Sequence, residues 1–244
     1  MIKLENVNKT YKIKDRRAKT IKNYIYDFIK GGSARYIEAL VDINLNLQKG
    51  ERLGIIGRNG SGKSTLLSII MGSIKPEKGG VVETNGSIMK LSLGMGMDPN
   101  LTARENIYIN GSVIGLSFKA IGNIFHEIIK FADLEDFIDV PVKFFSSGMK
   151  QRLMFSIALY AKSDIFLLDE FFGGTGDKNF RIKSDIAFKT QIIENHTVVI
   201  VSHSMPIIAK YCDKAIWLDK GKIKYSGQAK KTIELYLKET ENTI

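Results

Sequence analysis

The sequence has a single cysteine, Cys212, among its 244 residues. A disulfide framework and a cysteine-built metal site are thereby excluded. Long hydrophobic runs are missing as well. A membrane-crossing helix needs about 20 consecutive apolar residues, whereas Ile165–Leu168 and Val198–Val201 are short enough to be buried strands. The start, Met1-Ile2-Lys3-Leu4-Glu5, is charged and lacks the apolar stretch of a secretory signal. The expectation is a cytoplasmic protein with a peripheral role, if any, at a membrane. No internal repeat or low-complexity linker stands out. Hydrophobic residues make up 44% and charged residues 25% of the chain, which is too apolar for disorder as the main state. The length suits one domain, or one domain with a sub-lobe.

Charge is present in excess of one sign. The formal net charge is +10, which leaves nucleic acid or an anionic membrane surface open as partners. Half of that excess sits in residues 12–38, where eight basic residues face Asp15, Asp27 and Glu38. Within this stretch Ile21, Tyr24, Ile25, Phe28 and Ile29 recur at helical spacing, and Gly31-Gly32 supplies a stop. The expectation is an inserted basic amphipathic helix over about 13–38. It either meets a membrane or packs on the domain with its charges in water.

Along the rest of the chain, residues 2–11 read as a strand, and Val41, Ile43 and Leu45 alternate as another. Leu53–Ile56 is a short buried strand, followed by a helix from Lys63 to about Met71. Val81 to Leu93 reads as short strands around Asn85-Gly86. Residues 102–158 are mostly helical in period, with breaks expected at Gly115, Gly122, Pro141 and Gly148. Ile165–Leu168 and Val198–Val201 are continuous apolar runs, as in parallel strands covered on both faces. Trp217 and Leu218 belong to a further strand, and a charged helix over about 228–240 closes the pattern.

The chemistry begins at Gly57-Arg58-Asn59-Gly60-Ser61-Gly62-Lys63-Ser64, which fits G-x-x-x-x-G-K-S in full between a strand and a helix. Glycines let backbone N–H groups turn toward phosphates, and a helix N-terminus adds partial positive charge. Lys63 is placed to neutralise the β- and γ-phosphates, and the Ser64 hydroxyl to ligate Mg²⁺. Ile165–Leu168 then runs into Asp169 and Glu170. Asp169 is the candidate on the metal side, and Glu170 the candidate general base for an attacking water. His203 follows the run Val198–Ser202, where an imidazole reaches a terminal phosphate or serves only structure. His126 and His196 read as structural. Ser146-Ser147-Gly148-Met149 is a helix-start signal. Such an end either caps the helix or also holds an anion, including the nucleotide of a second molecule.

Taken together, these residues resemble the ATP-binding subunit of an ABC transporter, in order and spacing, from end to end. Gly57–Thr65 resembles the Walker A motif and Ile165–Glu170 the Walker B motif. Phe145–Met149 resembles the signature segment, His203 the switch histidine, and Tyr11 the aromatic residue that stacks on adenine. The resemblance implies an α/β fold: a P-loop NTPase (RecA-like) core with an antiparallel β subdomain and a helical subdomain at about 100–158, all in one ATP-binding domain over 1–244. It implies ATP and Mg²⁺ as cofactors, a homodimer completing each ATP site with the partner's Ser146–Met149, and a separate integral-membrane permease. Phe145-Ser146-Ser147-Gly148-Met149, the run Leu93–Ile107 and the basic insert resemble exporters of bacterial O-antigen, capsule and teichoic acid. For that group the implied place is the cytoplasmic face of the inner membrane, near a lipid-linked glycan head group, with no nucleic acid expected. The alternatives are another ABC transporter's ATPase subunit, or a soluble ABC-type ATPase acting on nucleic acid. Three departures from the family pattern stand out. Residues 93–99 contain no glutamine, so the polar role of that loop passes to Asp98. The stretch Phe171–Gly176 before Asp177 is one residue longer than usual. The chain stops at Ile244, and the expectation is a subunit without a C-terminal carbohydrate-binding domain.

Overall fold

The computed structural model describes residues 1–14, 34–92, 96–171 and 178–241. Two sheets organise them. In the smaller, β1 (Ile2–Lys14) lies between β2 (Ala34–Leu47) and β4 (Val81–Thr84), antiparallel to both. The larger has the order β5 (Ile88–Ser92), β6 (Ile165–Asp169), β7 (Thr197–Val201), β3 (Arg52–Ile56), β8 (Lys214–Asp219), β9 (Lys222–Gln228). Its strands pair in parallel except for the β8–β9 hairpin. The fold is the α/β architecture expected, with β4 and β5, neighbours in sequence, in different sheets.

The continuous apolar strands serve two cores at once. Successive side chains on a strand point to opposite faces. Leu167 and Val199 therefore join Ile2, Leu4, Ile43, Leu66 and Ile70 between the sheets, where α1 (Lys63–Ile70) also packs. Phe166, Val198 and Ile200 face the other way, toward Phe125, Leu153 and Phe188. Burial on both faces is why β6 and β7 lack the polar–apolar alternation of a surface strand.

That second core carries the helical lobe: α2 (Ala103–Val113), α3 (Phe118–Ala132) and α4 (Ser147–Ala158). Thr102 caps α2 reciprocally with Glu105, so two of the orphan amides at its start are satisfied. Ile121, Phe125, Ile128, Ile129 and Ala132 make the buried stripe of α3, which ends at Asp133 in a left-handed turn. Three further helices follow: α5 (Lys178–Phe188), α6 (Met205–Tyr211) and α7 (Ala229–Glu241). A π-helical turn at Lys189–Ile193 extends α5.

Several expectations need correction. Residues 13–14 and 34–38 are not helical. Ile13 pairs with Arg35 and Lys14 with Ala34, so both ends of the expected 13–38 helix belong to the β1–β2 ribbon. The backbone groups there are satisfied by the ladder, and β1 runs past Tyr11 to Lys14. The apolar face from Ile21 to Ile29 lies outside the described residues. Gly122 does not break a helix but sits inside α3, and Gly148 lies in the first turn of α4. An isolated glycine inside a helix is tolerated at a cost of about 1 kcal/mol against alanine, which the buried stripe of α3 offsets.

Candidate functional site

Three parallel strands end in line. The register aligns Ile55 of β3 with Val201 of β7, and Val201 with Asp169 of β6. The loop after β3, the acids at the end of β6 and the histidine after β7 therefore emerge side by side. This carboxyl edge is where ligands bind in open α/β sheets.

The 57–62 loop is braced from behind. A Cβ on Gly57 would lie 2.2 Å from the Leu218 carbonyl, and one on Gly62 would lie 2.4 Å from that of Ala39. Gly62 also has φ 107°, open only to glycine without strain. Ser61 donates its amide to Arg58 O at 3.2 Å and accepts the Gly221 amide at 3.0 Å. Arg58, Asn59 and Gly60 form the exposed rim, Ser64 is exposed at the start of α1, and Thr65 is half-buried. The Lys63 side chain is buried, and its ammonium donates to Gly57 O at 2.8 Å and Arg58 O at 3.0 Å. Burial pulls that ammonium below the ordinary lysine value, while the nearby Glu170 and Asp169 carboxylates act against the shift. The Ser61 hydroxyl is buried with no hydrogen-bond partner. An orphaned donor under a ring of turned amides is the signature of a site shaped for an acceptor-rich ligand.

Glu170 is tied to the end of β7 twice. Its amide donates to Val201 O at 3.0 Å, and its carboxylate accepts the His203 amide at 3.1 Å. The His203 imidazole stands 3.7 Å from the same carboxylate. Glu170 has φ 51°, an uncommon backbone for a non-glycine residue and of the kind found at functional sites. Asp169, half-buried, is ion-paired with Lys90 at 2.8 Å. Sequence reasoning passed over Lys90; the signal was one lysine inside the apolar run Ile88-Met89-Lys90-Leu91.

The remaining expected residues fall elsewhere. Ser146 caps α4 by accepting the Met149 amide at 3.2 Å. It opens that helix with Ser147, Gly148 and Met149 in the lobe where α4 packs chiefly on α3 and α2. The structure thus shows the capping role and leaves the segment on a different layer from the glycine loop. Tyr11 is half-buried on β1 opposite Ile37, two residues along β2 from the Ala39 carbonyl that backs Gly62. The Lys9 ammonium lies 5.8 Å from the Tyr11 ring centre. Asp98 accepts the Asn100 amide at 2.9 Å in the turn before α2. Asp177 lies outside the described residues. His196 packs edge-on against Phe166 and contacts Ile192 O at 3.1 Å, and His126 sits edge-on to Phe125, both structural settings.

Residues 40–173 match the ABC transporter family. The chain belongs to that family. It is an ABC-type ATPase, and its fold is that of the nucleotide-binding cassette. The matched span of this ABC chain takes in Gly57–Thr65, Ser146–Met149 and Asp169-Glu170 but ends before His203. The chain is 36% identical over 242 residues to the O-antigen export system ATP-binding protein RfbB of Klebsiella pneumoniae, covering 97% of both proteins. It is 39% identical over 239 residues to the teichoic acids export ATP-binding protein TagH of Lactococcus lactis, and spans 50% of that longer protein. Among solved structures, a dimeric ATP-binding cassette in a post-hydrolysis state with ADP and Pi superimposes with a TM-score of 0.71 at 26% identity. That match covers 94% of this chain and 99% of the other.

Proposed function

We propose that this chain hydrolyses ATP to power export of a lipid-linked cell-surface polysaccharide, such as O-antigen, capsule or teichoic acid, through a separate integral-membrane permease. The observation that carries the ATPase half is the shared carboxyl edge of β3, β6 and β7. That register supports reading the glycine loop, the two acids and the histidine as one site. The export half is supported by the end-to-end likeness to O-antigen and teichoic acids exporters.

In this reading Gly57–Thr65 wraps the nucleotide phosphates with backbone amides, and the Ser61 hydroxyl gains the partner it lacks. Lys63 swings from the Gly57 and Arg58 carbonyls to the outer phosphates. Its loss of solvent makes the new charge pair stronger. Tyr11 stacks on the base. Glu170 takes the proton of the attacking water, and His203 holds that water against the terminal phosphate. Ser64 and Asp169 fit Mg²⁺: one hydroxyl and one carboxylate suit an ion that takes its other oxygens from phosphate and water. When bound, that ion neutralises charge on the phosphates. Ser146–Met149 completes the site of a second copy, since a capped helix start with small residues leaves room for a phosphate. Among the described residues no helix is long and apolar enough to cross a membrane. In this reading the translocation path belongs to the permease, and this subunit sits beside it at the cytoplasmic face.

The test is a deletion strain complemented with wild type or Lys63→Ala, scored for surface polysaccharide and for lipid-linked glycan inside the cell. Loss of surface glycan with internal build-up, rescued by wild type alone, is the expected result. Normal surface glycan in the deletion strain would overturn the export reading.

A further inference from the structure

We infer that Lys90 is the resident counter-ion of Asp169 and sets how much divalent cation the nucleotide site requires. The inference rests on the reading of Asp169 as the carboxylate on the metal side. β5 and β6 run in parallel with Lys90 opposite Leu167 and Ser92 opposite Asp169. Lys90 and Asp169 are thus diagonal neighbours on one face of the sheet, within reach of a long side chain. Nζ and Oδ2 are 2.8 Å apart, with the side chains only 22% and 21% exposed. At that depth the pair is screened far less than a surface ion pair, and removing one member leaves a poorly solvated charge behind.

The other nearby cation is not available to Asp169 in the same way, because the Lys63 ammonium already donates to the Gly57 and Arg58 carbonyls. A divalent cation drawn to Asp169, directly or through water, therefore competes with Lys90 for one carboxylate. Lysine suits this role: it is a single mobile point charge with no acceptor of its own. A displaced Lys90 turns to solvent, to which its side chain is already partly open, because the cavity of about 70 Å³ beside it is lined mainly by apolar residues such as Leu91, Val113, Ile114, Met154 and Phe171. Lys90 acts here as a positioning residue: it holds the carboxylate in place until a cation displaces it.

The experiment uses the purified full chain and measures the affinity of a fluorescent ADP analogue across a Mg²⁺ series starting from EDTA. Manganese binding is followed in parallel by electron paramagnetic resonance. Lys90→Met is expected to lower the Mg²⁺ concentration at the midpoint by about tenfold, and Lys90→Arg, which keeps the charge, to leave it near wild type. Lys90→Gln serves in place of the methionine variant if that one does not fold. Asp169→Asn tests the underlying reading and should raise the midpoint. If Asp169→Asn raises it but neither uncharged Lys90 variant lowers it, Lys90 is not a competitor and the inference fails alone. An Asp169→Asn midpoint equal to wild type removes the reading of Asp169 and the inference with it.

Discussion

Gly62 shows how little room the glycine loop has. A methyl group there would press on the Ala39 carbonyl at 2.4 Å, and the φ of 107° adds backbone strain. Gly62→Ala should lower stability by upwards of about 2 kcal/mol and abolish nucleotide binding; denaturant unfolding and ADP titration check both. Glu170→Gln keeps the shape of the side chain and its bond to the His203 amide but removes the base. It should cut kcat by about 10²-fold or more while leaving ATP binding intact, as single-turnover and binding assays will show. Cys212 is a buried thiol of a different kind. Burial, reinforced by Asp213, pushes it from its ordinary 9.0 to about 12. It should resist thiol reagents in the native protein and react once the chain is unfolded. Below pH 9.0 both folded and unfolded chains keep this proton, so the contribution to stability is complete. Above it the unfolded chain releases the proton first, and stability falls progressively toward pH 12. Cys212→Ala should flatten the part of that decline that starts near pH 9.0, read as unfolding midpoints from pH 8 to 10.5. Tyr160 and Tyr211, raised by burial from 10.0, account for a later part that remains.

Two helical glycines make opposite predictions at the scale of the element. A Cβ on Gly122, inside α3, would meet nothing closer than the Tyr108 hydroxyl at 3.5 Å, whereas one on Gly111 in α2 would meet Ile121 at 2.9 Å. Gly122→Ala should therefore stabilise by about 0.5–1 kcal/mol through helix propensity. Gly111→Ala should destabilise, because α2 and α3 must move apart. Thermal melts of the two variants settle the sign. The same contrast explains why Gly122 read as a break from sequence: a glycine carries its intrinsic preference in the sequence, but not the packing that overrides it. Apolar periodicity made β6, β7 and α3 legible, and motif spacing made the glycine loop and its two acids legible, since short-range pattern determines both. The ends of β1 and β2 were not legible, because Ile13 and Arg35 become strand only through pairing across 22 positions of chain. β9 went unread although Lys222–Gln228 alternates exposed and half-buried residues; its weak polarity contrast hid the period. Lys90 was invisible as a site residue because its partner lies on a strand nearly eighty positions away.

Across the whole molecule, the β1–β2 ribbon extends beyond its pairing with β4, which involves only Ile2–Glu5. Tyr36 is exposed on one face of it beside its cross-strand partner Lys12, whose ammonium lies 5.7 Å from the Tyr36 ring centre, and Ile13 and Ile37 are exposed on the other face. An exposed aromatic ring next to basic residues suits an anionic membrane interface. Replacing Lys14, Arg16, Arg17 and Lys19 with glutamine should impair glycan export while sparing basal ATPase, measured in cells and on the purified protein respectively. Midway along β2, Gly221 links the small sheet to the nucleotide loop. Val41 of the small sheet donates to Gly221 O at 2.8 Å, and Gly221 donates to Ser61 O at 3.0 Å. Gly221 has φ 78° and lies close enough to Ala39 that a Cβ would stand 2.8 Å from its carbonyl. These bonds form a strut between the small sheet and the phosphate loop. A tilt of one sheet against the other cannot occur without loading or releasing the loop. Deuterium uptake at the Val41 and Gly221 amides should consequently slow together when nucleotide fills the loop, so a pair of backbone protons becomes a strain gauge for the ATP cycle.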